Sequence, residues 1–86
     1  MNVEAFNPAT YQVSAKTSAL AGLASAHQLE LGKFTALLNG PTLSTINRSL
    51  SGVPDASAWR RWLVYDACLA RYHDLAGVVA ALHLDD

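Results

Sequence analysis

The side chains that could do chemistry in this chain are few and scattered. His27 and Glu30 lie one helical turn apart, but a zinc site takes at least three protein ligands. Cys68 lies among apolar residues, which favours an inert buried thiol over a nucleophile of low pKa. The adjacent carboxylates Asp85 and Asp86 form only a terminal pair. The sequence therefore predicts a protein that is not an enzyme and that carries no metal ion or other cofactor.

The three histidines do not combine into a site. His27 lies on the apolar stripe of the first predicted helix, between Leu23 and Leu31. We therefore expect it to be half-buried, donating a hydrogen bond to a carbonyl group or contacting a neighbouring chain. His73 and His83 are ten residues apart and do not share a helix face.

The stretch WRRW, residues 59–62, combines Trp and Arg, which are enriched at protein-binding hot spots. On a helix, Trp62 falls within the apolar arc and Trp59 lies nearer the polar side. We therefore expect Trp62 to be core and Trp59 to face a partner, with Arg60 pointing to solvent and Arg61 towards the apolar arc. The predicted protein-binding residues are Trp59, Arg60, Arg61, Tyr65 and Tyr72.

The polar stretch NGPTLSTINRSLSG, residues 39–52, has a turn signal, a short helix rich in hydroxyl and amide groups, and a glycine stop. With the preceding FTALL it resembles the helix-turn-helix of the phage Cro and repressor family. The resemblance implies that Phe34, Leu38 and Ile46 are buried. It also implies that four exposed side chains face base edges in the major groove of DNA: Ser44, Thr45, Asn47 and Arg48.

Composition points to a partner. The chain has 86 residues, enough for one domain, and is 51% apolar. Only 15% of its residues are charged, against roughly 25% in an average soluble protein. Because a small domain cannot bury so much apolar surface alone, we expect part of it to face another protein or a second copy of this chain.

Charge and hydropathy favour a cytoplasmic protein that does not enter a membrane. The net charge is −1, whereas proteins that bind the phosphate backbone usually have a basic excess. Residues 31–64 are nonetheless mildly basic and residues 65–86 acidic. A single cysteine precludes an internal disulfide. The longest apolar run, residues 75–82, is far shorter than the about 20 residues that span a bilayer.

The first helix is predicted from Pro8 to Leu38, with Asn7 as its cap and weaker propensity before Lys16. Its apolar residues recur at helical spacing up to Leu38. Asn39-Gly40-Pro41 then ends it.

Two further helices follow. Thr42 is predicted to cap a short helix whose apolar face contains Leu43, Ile46 and Leu50. Asp55 is predicted to cap a third helix over residues 55–82. That helix would be roughly 42 Å long, longer than the about 30 Å diameter of a compact domain of this size. We therefore expect it either to kink near Gly77 or to dock its end on a partner. Its apolar arc is also broader than one neighbouring helix can cover.

These patterns predict an all-α fold, a small helical bundle in which two long helices are joined through one short helix. Residues 1–86 form a single domain in which segment 1–7 is irregular. The function that we expect is a non-catalytic protein-binding or assembly module: an inhibitor, adaptor, chaperone-like protein or assembly subunit. It would present an apolar helix face to a partner protein or to its own copy. The alternative is a dimeric helix-turn-helix DNA-binding regulator that uses residues 34–52.

Overall fold

The computed structural model describes residues 5–84, and this range is all-helical, without strands. Short turns join the five helices, which are α1 (Ala15–Ala26), α2 (Leu31–Thr35), α3 (Gly40–Ser49), α4 (Ala56–Tyr72) and α5 (Leu75–Leu82). The predicted all-α class and the small bundle are confirmed. Of the predicted irregular segment 1–7, residues 5–7 are non-helical, and residues 1–4 lie outside the described range.

The first predicted helix begins later than expected. Asn7 and Pro8 start only an isolated turn, in which the Asn7 carbonyl accepts from the amide of Tyr11 at 3.2 Å. The cap of α1 is Ser14, whose Oγ accepts from the Thr17 amide at 3.1 Å. The β-branched residues before Ser14 disfavour a longer helix.

The same predicted helix is also interrupted. Gln28 has a φ of 54°, in the left-handed region, so the chain leaves α1 after His27 and begins α2 at Leu31. Leu31 and Phe34 still pack on the core after the turn. The helical spacing of apolar residues therefore continues from α1 into α2, and for this reason it does not indicate the break between them.

Of the two predicted caps of the later helices, one is wrong and one is confirmed in position. The cap of α3 is Asn39, whose Oδ1 accepts from the Thr42 amide at 2.9 Å, so Thr42 is the capped residue and not the cap. Asp55 does occupy the cap position of α4, but with a φ of 57° and without a capping hydrogen bond from its side chain.

The third predicted helix divides at His73 and Asp74, not near Gly77. His73 has a φ of 71°, and Asp74 Oδ1 accepts from the Leu75 amide at 2.8 Å to cap α5. Gly77 lies inside α5 against the end of α4. A Cβ at Gly77 would come closer to the Tyr72 carbonyl oxygen than the 3.0 Å that real Cβ contacts keep. The glycine therefore allows close packing of the two helices at this corner.

The core is built around α4, on which the other four helices pack. The buried apolar residues come from α1 to α5: Leu20, Ala24, Phe34, Ile46, Leu50, Val64, Tyr65, Cys68 and Val78. The broad apolar arc of α4 is thus covered by helices of the same chain. Among residues 5–84 the single exposed large apolar side chain is Val13, at 38%. The apolar side chains that the composition placed at the surface are therefore mostly half-buried.

A polar contact joins the N-terminal segment and α1 to α4. Asp66 Oδ2 accepts from the Tyr11 hydroxyl at 2.6 Å, and Oδ1 accepts from Thr17 Oγ1 at 2.5 Å. Thr17 is almost fully buried, at 1% exposure. Burial and the hydrogen bond to Asp66 raise the pKa of Tyr11. The carboxylate therefore holds two segments that are distant in sequence.

No helix within residues 5–84 combines the length and the hydropathy that a bilayer crossing requires.

Candidate functional site

Trp59 lies beneath the N-terminal segment. Its ring centroid is 5.3 Å from that of Phe6 and 6.1 Å from that of Tyr11. Phe6 and Tyr11 are themselves 5.3 Å apart, so the three rings form one cluster. Trp59 is half-buried. It was expected to face a partner, but this chain's own aromatic residues cover much of it.

The directions of Arg60 and Arg61 are the reverse of those expected. Arg60 is half-buried and its Nε donates to Asn47 Oδ1 at 3.0 Å, which joins α4 to α3. Arg61 is exposed, with its guanidinium 5.2 Å from the centroid of Trp62. The expectation failed because α3 packs beside the polar side of α4. Trp62 itself is half-buried at the edge of the core.

The two predicted tyrosines lie in different surroundings. Tyr65 is 3% exposed and its ring packs edge-on against Phe34, with centroids 4.8 Å apart. Burial raises its pKa. Tyr72 is half-buried, and its hydroxyl donates to the Leu37 carbonyl at 3.1 Å. The predicted contact of Tyr65 with a partner therefore needs correction: Tyr65 belongs to the core and is not part of an accessible surface.

The four predicted DNA-reading residues, Ser44, Thr45, Asn47 and Arg48, are exposed on α3. On the opposite side of α3, Ile46 and Leu50 are buried. Two of the four side chains are engaged within the chain. Thr45 Oγ1 donates to the Pro41 carbonyl at 3.0 Å, and Asn47 Oδ1 accepts from Arg60. The helix before α3, α2, is only five residues long.

A basic face follows from these positions. We use this name for Arg48, Asn47, Arg60 and Arg61, which lie on α3 and on the first turns of α4. Within residues 5–84 the one ion pair joins Lys16 and Asp74 at 3.1 Å. In that range the arginines of the basic face are therefore not paired with a carboxylate.

A surface depression lies elsewhere, between the start of α3 and the second half of α4. It has a volume of about 450 Å³ and is lined by Leu38, Thr42, Ala67, Ala70 and Arg71. Small and apolar side chains form most of its wall, with one guanidinium among them.

His27 and Cys68 lie in opposite surroundings, one exposed and one buried. His27 is exposed at the end of α1, so the expectation of a half-buried histidine is wrong. Cys68 is fully buried and its Sγ donates to the Phe34 carbonyl at 3.4 Å. The expected buried thiol is confirmed, and burial raises the pKa of this thiol to about 11. Among residues 5–84, no three His, Cys, Asp or Glu side chains lie close enough to hold a metal ion.

The sequence did not reveal Phe6 and Tyr11 as neighbours of Trp59, or Asp66 as the partner of Tyr11. The only signal was the presence of two aromatic residues in the N-terminal segment. The contact between Tyr11 and Asp66 spans 55 positions, a separation at which helical periodicity carries no information.

Comparisons of this chain with known protein families, with curated proteins and with solved structures find no match.

Proposed function

We propose that this chain is a small non-catalytic protein-binding or assembly module. Its docking surface is the basic face together with the half-buried rings of Trp59 and Trp62. The partner is an acidic, partly apolar surface of another protein or of a second copy of this chain. The broad apolar arc of α4 is not part of the proposed docking surface, because other helices of the same chain cover it.

The observation that carries the proposal is a set of three arginines, none paired with a carboxylate of residues 5–84, near two half-buried tryptophans. Arginine binds carboxylates through two parallel hydrogen bonds and loses little hydration when it does so. Tryptophan supplies apolar area at a low entropic cost. Arg61 is already positioned over Trp62, so its guanidinium is partly ordered before a partner arrives. These residue types dominate the binding energy of known interfaces.

Charge reversal tests this proposal. Arg61→Glu should weaken binding of a polyglutamate peptide at least tenfold, measured by tryptophan fluorescence, and should weaken self-association measured by light scattering. Arg71→Glu is the matched control, because Arg71 lies exposed near the opposite end of α4. Equal effects of both variants would mean that net charge, and not this surface, controls binding. A wild-type chain that neither binds the peptide nor self-associates at several hundred micromolar would refute the proposal.

A second candidate function is DNA binding by a dimeric helix-turn-helix regulator. It is supported by the exposure of Ser44, Thr45, Asn47 and Arg48 on a helix whose apolar side packs inward. Arg pairs with guanine and Asn with adenine in the major groove. In this case Arg48→Ala should cost about 1–3 kcal/mol of specific binding and leave the fold intact. Absence of any duplex shift at low salt, where non-specific binding is strongest, would remove this candidate.

A further inference from the structure

The N-terminal segment lies across α4 through side chains alone. We call residues 5–11 the strap. The Phe6 ring is 5.3 Å from Trp59, and the Tyr11 hydroxyl donates to Asp66 Oδ2 at 2.6 Å. The site on α4 therefore accepts a segment with a single turn between two aromatic residues, the second of which carries a hydroxyl group.

Few backbone contacts hold this segment to the body. The Phe6 amide donates to the Ser49 carbonyl at 2.8 Å, which is the strap's one backbone bond to a helix among the described residues. Gln12 and Val13, which we call the hinge, connect the strap to Ser14, the cap of α1, and are exposed. Within residues 5–84 the backbones of Gln12 and Val13 make no hydrogen bond. The hinge can therefore change direction without breaking secondary structure.

We propose that two copies of this chain exchange their straps, so that Phe6 and Tyr11 of one copy occupy the site on α4 of the other. The proposal rests on the self-association part of the proposed function and specifies how it occurs. Each copy contributes two aromatic residues to its partner's site. The exchange preserves every contact of the strap, because the second copy supplies the same side chains.

Val13 gives the exchanged dimer a contact that the closed monomer lacks. It is the one large apolar side chain exposed among residues 5–84, at 38%, and it lies in the hinge. When straps are exchanged, the two hinges cross between the bodies, and each Val13 meets the other copy. Burial of these side chains favours association.

The balance between the two forms depends on concentration. Within one chain the strap is tethered close to its site, so the closed monomer predominates at low concentration. The exchanged dimer gains only the new contacts at the hinges and loses translational freedom. We therefore expect a monomer at low micromolar concentration and a growing dimer fraction towards millimolar concentration.

Two variants shift this balance in opposite directions, with light scattering as the measurement. Val13→Asp should raise the dimer dissociation constant at least tenfold, whereas Ala9→Asp, which adds the same charge at an exposed strap position, should change it less than threefold. Deletion of Gln12 and Val13 removes about 7 Å of extended chain, so the strap no longer reaches its own α4. This variant should be dimeric at low micromolar concentration.

An isotope-filtered NOE experiment on mixed ¹³C-labelled and unlabelled wild-type chains identifies the contact itself. Exchange predicts intermolecular NOEs between the rings of Phe6 and Trp59 in the dimer. A dimer with only intramolecular NOEs between these rings would overturn strap exchange and leave the proposed self-association standing. Strap exchange would also be overturned if the deletion variant stays monomeric and acrylamide quenches its Trp59 fluorescence. This result is independent of which partner the basic face binds.

Discussion

Two glycine-to-alanine substitutions should change stability in opposite directions. Gly22 lies within α1, exposed, with open space where a Cβ would be. Gly77 lies within α5, where a Cβ would collide with the Tyr72 carbonyl oxygen and come within 3.1 Å of the Tyr72 carbonyl carbon and Cβ. Both changes add the same methyl group to a helix interior. Only the tertiary surroundings differ.

The magnitudes follow from two opposing effects. Replacing glycine by alanine in a helix interior stabilises by about 0.5–1 kcal/mol, because the unfolded chain loses freedom. Gly22→Ala should therefore stabilise by this amount. Gly77→Ala has the same gain, but overpacking costs about 1–3 kcal/mol. The nearest blocking atom is the Tyr72 carbonyl oxygen, which belongs to the backbone and cannot rotate away. The net expectation for Gly77→Ala is a loss of up to about 2 kcal/mol, which places the two variants about 1–3 kcal/mol apart.

Urea unfolding followed by circular dichroism measures both free energies of unfolding. A difference of 1 kcal/mol corresponds to about 4–8 °C in the melting temperature of a domain of this size, so thermal melts give an independent check. Equal stabilisation by both substitutions would show that α5 does not pack against the end of α4 as described. The division of the third predicted helix at His73 would then be wrong as well.

Three further predictions concern individual side chains. Thr17→Val should destabilise by about 1–3 kcal/mol in urea unfolding, because it removes a buried hydroxyl that donates to Asp66; an unchanged stability would argue against this contact. The Cys68 thiol, with its pKa raised to about 11, should react with Ellman's reagent at pH 8 only as fast as the protein unfolds, and fast labelling of the native chain would contradict its burial. The hydrogen bond from the Leu75 amide and the contact with Lys16 lower the pKa of Asp74. The stability that ionised Asp74 contributes is therefore present above the unfolded pKa of about 4 and is lost as pH falls through the lower folded pKa. Asp74→Asn should flatten the decline in melting temperature below pH 4, and parallel declines of variant and wild type would refute this.

The sequence by itself determined the all-α class, the inward side of α3 and the burial of Cys68. Each depends on signals within a few positions of one another. Ile46 and Leu50 are four positions apart and therefore share a helix face, and Asn39-Gly40-Pro41 marks the boundary before α3 through local backbone preferences. Such signals act in the same way whatever the rest of the chain does.

Only the tertiary structure decided where the long predicted helices divide. Gln28 and His73 adopt left-handed conformations that their residue types do not demand. The breaks let short helices pack around α4, and the apolar burial gained across the whole core outweighs the local cost. The apolar spacing that predicted continuous helices is the same on both sides of each break, so it could not locate them.

The surroundings of the predicted binding residues were also decided at long range. Trp59 is covered by Phe6 and Tyr11, which lie 48 or more positions before it, and Asp66 binds Tyr11 across 55 positions. Helical periodicity assigns a side chain to a face of its own helix, but it does not say which distant segment packs on that face. Because the exposure of a side chain depends on that packing, it could be determined only from the tertiary structure.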